Sequence, residues 1–418
     1  MRIAFATPEY VTEKTFDGGL SNYVHRIALA LKSRGHDPVV FVYSDRDETF
    51  VHRDIKIHRV DCRLPHERVK LPMFLKKGYR SLCKRLYPDA YRVYKKTALE
   101  YNSYQLNALL LRMHHKNPFD IVQYASYLSP ALYRHPSIPS VVRASSYAPL
   151  LNAAYGCSNF HEEECEASAF KQAEAIFSPS FLLASQLTTV LDRPVPVIET
   201  PFFMEAENLD DALLDAFELR VKQYLLFFGT IGLLKGCLTI AKSLNRLFSQ
   251  YPQLYFVFAG KISQFQEEKF DVLVRREVRS EYQNRIIFCG NAKHSQLYPV
   301  IQAAKGVILP SRVDNLPNTC LEAMGLGKIV VGTRGASFDQ LIHDGENGFL
   351  CEIDDPGSLF ASMQKLLSLS EEKVQQMSKA AIERIKLLHP DIVVPKLLDF
   401  YREVIARHKQ LQNIKKAT

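Results

Sequence analysis

Residues 306–331 constrain the fold of this chain more than any other stretch of its sequence. They begin with a short apolar run that ends in a polar loop. Pro317 and Asn318 then start a predicted helix, Gly325 and Gly327 stop it, and a second apolar run follows at once. This order predicts the strand–helix–strand unit of an α/β sheet, in which anionic ligands lie at the carboxyl end of a strand and at a helix N-terminus.

Two carboxylates and two backbone amides in this unit point to a ligand. Asp314 lies in the loop and Glu322 lies in the helix, eight residues apart. The loop acid can face the reacting end of a ligand, and the helix acid can reach a hydroxyl-bearing part of the same ligand. Between them, the N–H groups of Asn318 and Thr319 have no acceptor inside the helix and point at an anion lying across its end.

The length and composition predict an ordinary globular protein of two domains. A chain of 418 residues is about two to three times a typical domain. The eight cysteines form no C-x-x-C pair, which favours reduced thiols and a cytoplasmic protein. The net charge of +8 indicates an acidic surface or substrate as a partner. Because no nucleic-acid-binding module is visible, we expect phosphate-bearing substrates or anionic lipid rather than nucleic acid.

The first half of the chain predicts one Rossmann-like domain. Residues 2–6 form a predicted strand, Gly18 and Gly19 form a loop, residues 20–32 form a helix, and residues 38–43 form the next strand. The loop lacks the G-x-G-x-x-G pattern, which counts against a dinucleotide-dependent redox enzyme. On their own, the two glycines predict a simple tight turn.

A second domain of the same kind begins beyond a linker marked by prolines, the last of which is Pro201. Residues 224–228 predict a strand, residues 229–236 read GTIGLLKG and lead into a helix, and residues 255–259 predict the next strand.

Two patterns in the first half contain metal-ligating residue types, and we expect neither to bind a metal. Residues 45–47 read D-R-D, which we interpret as a solvated loop. Cys157, His161 and Cys165 fall on one face of a predicted helix, but no fourth ligand is evident. A buried thiol pair beside a surface histidine is the better interpretation. The sequence indicates no cofactor.

The sequence PSRVDNLPNTCLEAMGLGKIVV, residues 310–331, resembles the donor-site segment of retaining glycosyltransferases of the two-Rossmann-domain type, family 4. There the segment reads roughly PS-x-x-E-G-x-P-N-x-x-L-E-A-M-A-x-G-x-P-V-V. Residues 229–236 resemble the G-R-L-x-x-x-K-G segment of the same family. The resemblance implies an α/β fold with two Rossmann-like domains facing across a cleft (GT-B). It implies an acceptor domain at 1–203, a nucleotide-sugar donor domain at 204–390, and a C-terminal helix at 391–418 that packs back on the first domain.

The resemblance also implies roles for individual residues. Lys235 matches the lysine that grips the donor diphosphate, Glu322 would bind the ribose hydroxyls, and Asp314 would hold the sugar hydroxyls. Lys235 and Asp314 are therefore the expected catalytic residues. The whole expected donor-binding set is Gly18, Gly19, Thr230, Lys235, Asp314, Leu316, Asn318, Thr319 and Glu322.

Three positions depart from the family pattern. Asp314 stands where the family usually has Glu, Thr230 where it has Arg, and Ser145 where it often has His. A hydroxyl at 230 does not supply the forked, permanently charged contact that Arg gives a phosphate. Lys261, just past the predicted strand that ends at Gly260, is the best-placed cation to compensate, and Arg312 is another.

The implied activity is transfer of a hexose-type sugar from a nucleoside-diphosphate donor to an acceptor hydroxyl, with retention at the anomeric carbon, in cell-surface polysaccharide or glycolipid synthesis. No general base is obvious, which fits a leaving phosphate that takes the acceptor proton itself. Two alternatives are open. One is a nucleotide-sugar epimerase on the same fold, and the other is a non-catalytic nucleotide-sugar-binding subunit.

Residues 70–96 are rich in Lys and Arg, and two interpretations of them are open. Their apolar residues recur at helical spacing, with most of the cations on the other side. This pattern fits a helix lying on the anionic inner face of a membrane. It also fits a helix packed on the first domain with a solvated basic face, which Gly78 and the absence of Trp from the stripe favour slightly. The apolar residues are Leu71, Phe74, Leu75, Tyr79, Leu82 and Leu86, and the cations are Lys70, Lys76, Lys77, Arg80, Lys84 and Arg85.

Overall fold

The computed structural model describes residues 1–13, 18–64, 88–157, 159–204 and 209–417, with the backbone alone at 88–93 and 415–417. The predicted amphipathic stripe at 70–87 lies outside these residues. The chain forms two compact units, the first made of Met1–Pro201 and Pro390–Thr418 and the second of Phe202–His389. The sequence placed the corresponding boundaries after residues 203 and 390.

The first unit contains a twisted sheet that is parallel except for one edge strand. Its strands are β1 (Arg2–Thr7), β2 (Asp37–Ser44), β3 (Glu48–His52), β4 (Ile55–Asp61), β5 (Ile121–Ala125), β6 (Ser140–Arg143) and β7 (Ala175–Phe177). They lie in the order β3-β4-β2-β1-β5-β6-β7, and only β3 is antiparallel to its neighbour among the described strands. Successive strands move outward from β1 and then return to its other side at β5, so the strand order reverses between β1 and β5.

Helices flank this sheet because each has one apolar face. They are α1 (Gly19–Lys32), α2 (Pro88–Lys116), α3 (Ala148–Tyr155), α4 (Phe160–Gln172) and α5 (Phe181–Leu191). In α1, Tyr23, Ile27 and Leu31 recur at helical spacing and are buried with Phe5 of β1. Burying an aliphatic or aromatic side chain of this size stabilises the fold by about 1.5–3 kcal/mol.

One local interpretation of the first half is confirmed and another is wrong. Residues 45–47 form an exposed loop between β2 and β3, as expected, and the Asp47 carboxylate there accepts a hydrogen bond from the Asp61 amide at 2.8 Å. Cys157 is exposed while Cys165 is buried, so the expected buried thiol pair is wrong. Burial raises the pKa of the Cys165 thiol to about 11.

The second unit contains a parallel sheet. Its strands are β8 (Gln223–Phe228), β9 (Leu254–Ala259), β12 (Ile286–Gly290), β13 (Gly306–Leu309), β14 (Val330–Thr333) and β15 (Gly348–Cys351), and a small hairpin consists of β10 (Gln264–Phe265) and β11 (Glu268–Lys269). The order of the sheet is β12-β9-β8-β13-β14-β15. Because helices cover both faces, its central strands are almost continuously apolar, as in Tyr224–Phe228, which are all buried.

The helices of the second unit are α6 (Ala212–Ala216), α7 (Cys237–Gln250), α8 (Phe270–Glu277), α9 (His294–Ala303), α10 (Asn318–Gly325), α11 (Pro356–Leu367) and α12 (Glu371–Lys386). The chain runs from β8 through α7 to β9 on one side and later returns to the other side of β8 at β13. The strand order of this sheet therefore reverses between β8 and β13.

The last helix, α13 (Pro390–Ala417), belongs to the first unit. Its apolar stripe joins the core beneath α1 through Val394, Leu397, Leu398, Tyr401 and Val404. His408 Nδ1 also lies 2.8 Å from a carboxylate oxygen of Glu174. In the part of the chain that the structure describes, no helix combines the length and the apolar character that crossing a membrane requires.

Candidate active site

The loops that follow β8 and β13 meet at the point where the strand order of the second unit reverses. Gly306 pairs with Leu225 and Val307 pairs with Leu226 in parallel register, so both strands end at the same edge of the sheet. The chain leaves β8 through residues 229–236 and leaves β13 through residues 310–317. In an open α/β sheet, ligands bind in the crevice at such a point.

A glycine holds these two loops in direct backbone contact. Gly236 has a φ of +70°, and a Cβ there would lie 1.9 Å from the carbonyl oxygen of Pro310. A residue with a side chain would have to push the two loops apart. A second link is the Arg312 amide, which donates to the Leu234 carbonyl at 2.8 Å. These contacts bring the side chain of Lys235 next to the loop after β13.

Lys235 and Asp314, the two residues that the sequence named as catalytic, contact each other. Lys235 Nζ lies 2.5 Å from Asp314 Oδ2, and the two side chains are 36% and 13% exposed. Ser311 Oγ donates to the same carboxylate oxygen at 3.3 Å, and the Asn315 amide donates to the other oxygen at 3.0 Å. The Ser337 hydroxyl donates to the Asp314 carbonyl at 3.0 Å. The acid is therefore fixed by its own loop, and the partly exposed lysine is the group that an incoming anion can engage.

Residues 229–231 lie between this loop pair and the loop after β9. Gly229 has a φ of +121°, and a Cβ there would lie 3.4 Å from the methyl group of Thr319. On the other side, a Cβ at Gly260 would lie 2.0 Å from the Gly229 carbonyl oxygen, and the Ile231 amide donates to the Lys261 carbonyl at 2.8 Å. Thr230, which stands where the family has Arg, is therefore close to the first turn of α10 and to the backbone of Lys261.

The two cations that the sequence offered in place of an arginine at 230 lie in loops of this site. Arg312 Nε donates to the Asp354 carboxylate at 2.8 Å, so an acid from the loop after β15 engages its charge. Lys261 is exposed, and its carbonyl accepts from the Ile231 amide beside Thr230.

The N-terminus of α10 presents backbone N–H groups at the same place. Pro317 precedes the helix, and its carbonyl accepts from the amides of Cys320 and Leu321 at 3.0 and 3.2 Å. The amides of Asn318 and Thr319 belong to the first turn, where a helix has no internal acceptor. Burial, reinforced by the charge of Asp314, raises the pKa of the Cys320 thiol, which keeps this thiol neutral beside the helix end.

Leu316 lies at the turn before α10 and has a φ of +58°, which is unfavourable for a residue with a side chain. Its side chain is buried in the core of the second unit, which stabilises the turn. Only its main-chain atoms are left for the donor contact that the sequence predicts.

Glu322 lies one turn further along α10 and is almost fully buried. Its side chain is 5% exposed, and Oε1 lies 3.4 Å from Nε2 of His294, the first residue of α9, whose ring is 47% exposed. Sequence reasoning missed His294, because the residues around it match no motif and the contact joins two residues that are 28 positions apart in the chain.

The predicted site residues of the first unit lie in another part of the chain. Gly18 has an extended φ of 166°, which any residue adopts, and a Cβ there would meet nothing within 4 Å. Gly19 is the first residue of α1. Ser145, at the position where the family often has His, lies beyond the carboxyl end of β6 with its hydroxyl 3.3 Å from that of Ser126. Among the described residues, nothing sterically requires glycine at position 18.

Known protein families match both units. The profile of the Glycosyl transferases group 1 family matches residues 217–384, and that of the Glycosyl transferase 4-like domain matches residues 18–200. Trehalose synthase of Thermococcus litoralis is 21% identical over 409 residues, which cover 95% of this chain and 89% of that protein.

Solved structures match the whole fold. Sucrose-phosphate synthase (tll1590) from Thermosynechococcus elongatus has a TM-score of 0.75 at 15% identity, over 97% of this chain and 100% of that one. Anabaena Alr3699/HepE in complex with UDP and glucose has a TM-score of 0.68 at 16% identity, over 96% and 100% of the two chains. Family profiles on both units, together with the match of the whole fold to glycosyltransferase structures, show that the chain is a GT-B glycosyltransferase whose second unit matches the Glycosyl transferases group 1 family.

Proposed function

We propose that the protein transfers a sugar from a nucleoside-diphosphate-sugar donor to an acceptor hydroxyl, with retention of the anomeric configuration. The observation that carries the proposal is the contact of Lys235 with Asp314 beside the N-terminus of α10, at the point where the strand order reverses. A cation and free backbone amides at one edge of the sheet suit a diphosphate. A fixed carboxylate next to them suits the hydroxyls of the attached sugar.

The difficult step of the reaction is departure of the diphosphate. Breaking the bond between the anomeric carbon and the phosphate oxygen leaves negative charge on that oxygen. Lys235 and the amides of Asn318 and Thr319 stabilise this charge, and a preorganised donor of this kind contributes about 3–4 kcal/mol to the transition state. The same phosphate oxygen takes the proton of the acceptor hydroxyl as the new glycosidic bond forms on the face that the diphosphate leaves. This step requires no protein base.

Each of the remaining residues of the donor site binds a different part of the donor. Glu322 accepts hydrogen bonds from the ribose hydroxyls, Asp314 holds the sugar, and Lys261 supplies part of the charge that the family's arginine carries. The first unit binds the acceptor, and the second binds the nucleotide.

The acceptor is a saccharide or a lipid-linked saccharide of cell-surface polysaccharide or glycolipid synthesis. The net charge of +8 and the alternation of cations with apolar residues at 70–96 support peripheral contact with an anionic membrane on its cytoplasmic face.

A thermal-shift panel tests the donor proposal. A ligand that binds only the folded state raises the midpoint of thermal unfolding by mass action. At a ligand concentration of 100 times its Kd, the apparent free energy of unfolding rises by about 2.7 kcal/mol. We expect at least one of UDP-, ADP- and GDP-sugars to raise Tm, and the corresponding nucleoside diphosphate to do so as well. If no nucleotide raises Tm at millimolar concentration, the proposal is wrong. A nucleotide sugar that is isomerised without an acceptor would instead identify an epimerase.

A further inference from the structure

We propose that His294 positions the Glu322 carboxylate for the ribose hydroxyls of the donor, and thereby makes nucleotide binding selective for ribose. The inference rests on the proposed function of the second unit as the donor site. His294 belongs to none of the motifs that identify the site, and only the fold brings it next to Glu322.

A buried carboxylate needs a partner, because its charge is costly to remove from water. The Glu322 side chain is 5% exposed, and His294 Nε2 lies 3.4 Å from its Oε1. Glu322 comes from α10 after β13, whereas His294 begins α9 after β12. Their contact therefore joins the edge of the sheet that carries the phosphate-binding residues to the loop after β12.

The His294 imidazole packs against Tyr298 and is partly exposed to solvent. Its ring centroid lies 5.6 Å from that of Tyr298, one helical turn further along α9. The Asp210 amide donates to the Ser295 carbonyl at 3.0 Å and its carboxylate accepts from Gln296 Nε2 at 2.9 Å, which fixes the start of the helix. The ring itself is 47% exposed. Since the ring contacts a carboxylate that is hardly exposed, it forms part of the surface above Glu322, and a ligand reaching that acid passes beside it.

The contact with His294 controls the orientation of the Glu322 carboxylate. A ribose presents two neighbouring hydroxyls, and a carboxylate accepts from both only when its plane is turned toward them. A ring nitrogen near Oε1 limits rotation of the group, so the lone pairs keep one direction before a nucleotide arrives. Without the ring, the carboxylate turns more freely, and the free energy gained from the ribose hydroxyls falls.

The elements around the pair carry further charges in the described part of the second unit. On α9 and the residue before it the basic groups are His294 and Lys293, and on α10 there is Glu322. The segment packed against α9 carries Asp210, Asp211, Asp215 and Arg220, and Arg220 pairs with Asp211 and Asp215. Lys293 neighbours His294 in sequence and is exposed. The Ala212 amide and Gln296, which donate to the Asp210 carboxylate, and the charge of Lys293 lower the pKa of Asp210.

The test compares ribonucleotides with their 2′-deoxy forms by isothermal titration calorimetry. The probes are UDP, ADP and GDP and the three 2′-deoxy nucleoside diphosphates, with wild type, His294→Ala, His294→Gln and Glu322→Gln. For the nucleotide that binds wild type, we expect His294→Ala to weaken the ribonucleotide about tenfold, the scale of one hydrogen bond to a charged group. Its affinity for the 2′-deoxy form should change less, so that the ribose preference falls toward that of Glu322→Gln.

His294→Gln separates positioning from mere packing, because its amide N–H replaces the ring donor while the contact with Tyr298 is lost. We expect this variant to recover most of the ribose preference. The matched control is His343→Ala, which removes an exposed histidine 3.6 Å from Glu346 in the same unit and should change nothing. If His294→Ala does not fold, His294→Phe keeps the ring packing and removes the donor.

Two results would overturn the inference while leaving the proposed function intact. One is a His294→Ala variant that prefers the ribonucleotide over its 2′-deoxy form by the same ratio of affinities as wild type. The other is a His294→Gln variant as impaired as His294→Ala. If wild type binds none of the three nucleoside diphosphates, the donor-site proposal itself is wrong, and the inference is overturned with it.

Discussion

Removing the charge of Lys235 should slow the reaction far more than it destabilises the fold. Lys235→Met keeps most of the side-chain volume and deletes the cation 2.5 Å from Asp314. If this cation stabilises the departing diphosphate, its loss costs about 3–4 kcal/mol in the transition state, so kcat should fall roughly 10²- to 10³-fold.

The effect of the same change on stability is small for a structural reason. Lys235 is 36% exposed, so solvent screens most of its attraction for Asp314. The acid keeps the Ser311 hydroxyl and the Asn315 amide as partners. We expect a loss of about 1 kcal/mol at most, which corresponds to a fall in Tm of roughly 2–4 °C for a unit of this size.

The assay is acceptor-dependent release of nucleoside diphosphate, measured together with Tm. Lys242→Met is the matched control, because Lys242 is exposed on α7 just beyond the loop and should not affect turnover. Lys235→Arg keeps the charge and should lose less activity than Lys235→Met. Turnover of Lys235→Met within about threefold of wild type, less than 1 kcal/mol in the barrier and with the fold intact, would remove the diphosphate role from Lys235.

Three further predictions concern other parts of the molecule. Glu322→Gln should weaken binding of the free nucleoside diphosphate as well as the intact donor, and unchanged calorimetric affinity for the nucleotide alone would exclude the ribose contact. Burial raises the pKa of Glu166 to about 8. Between its ordinary pKa of 4.5 and about 8, the folded state keeps a proton that the unfolded chain has released, so this group lowers the free energy of unfolding as pH rises. Glu166→Gln should therefore gain stability over wild type from pH 5 to pH 8, by up to about 4 kcal/mol in urea unfolding, whereas parallel pH profiles would contradict the assignment. Vesicle co-sedimentation should require anionic lipid, weaken toward about 0.5 M salt, and be abolished by four substitutions to Gln that leave nucleotide affinity unchanged. Binding that is indifferent to lipid charge would refute the membrane contact. The four positions are Lys76, Lys77, Arg80 and Lys84.

The fold was predictable from the sequence where local patterns determine it. The predicted strand, loop, helix and strand at 306–331 correspond to β13, α10 and β14, because buried parallel strands are continuous apolar runs and Pro317 marks the helix start. Strands β3 and β4 were missed, although the alternation of polar and apolar residues in Ile55–Val60 is itself the pattern of a strand.

The candidate site was predictable only in its separate parts. Motif spacing identified Lys235 and Asp314, but their direct contact joins residues 79 positions apart and depends on the backbone of Gly236 against Pro310. The approach of His294 to Glu322 has no sequence signal at all, because it results from the order of β12 and β13 in the sheet. The engagement of Arg312 by Asp354 is likewise a tertiary contact between two loops.

The most direct test of the central claim is to follow donor, nucleotide and product together by NMR, with the nucleotide sugar found in the thermal-shift panel and a set of saccharide and lipid-linked acceptors. We expect nucleoside diphosphate release that depends on the acceptor and a new glycosidic bond with the anomeric configuration of the donor. Inversion at the anomeric carbon would contradict the proposed mechanism. A bound donor that is isomerised, or that stays intact with every acceptor, would contradict the proposed sugar transfer.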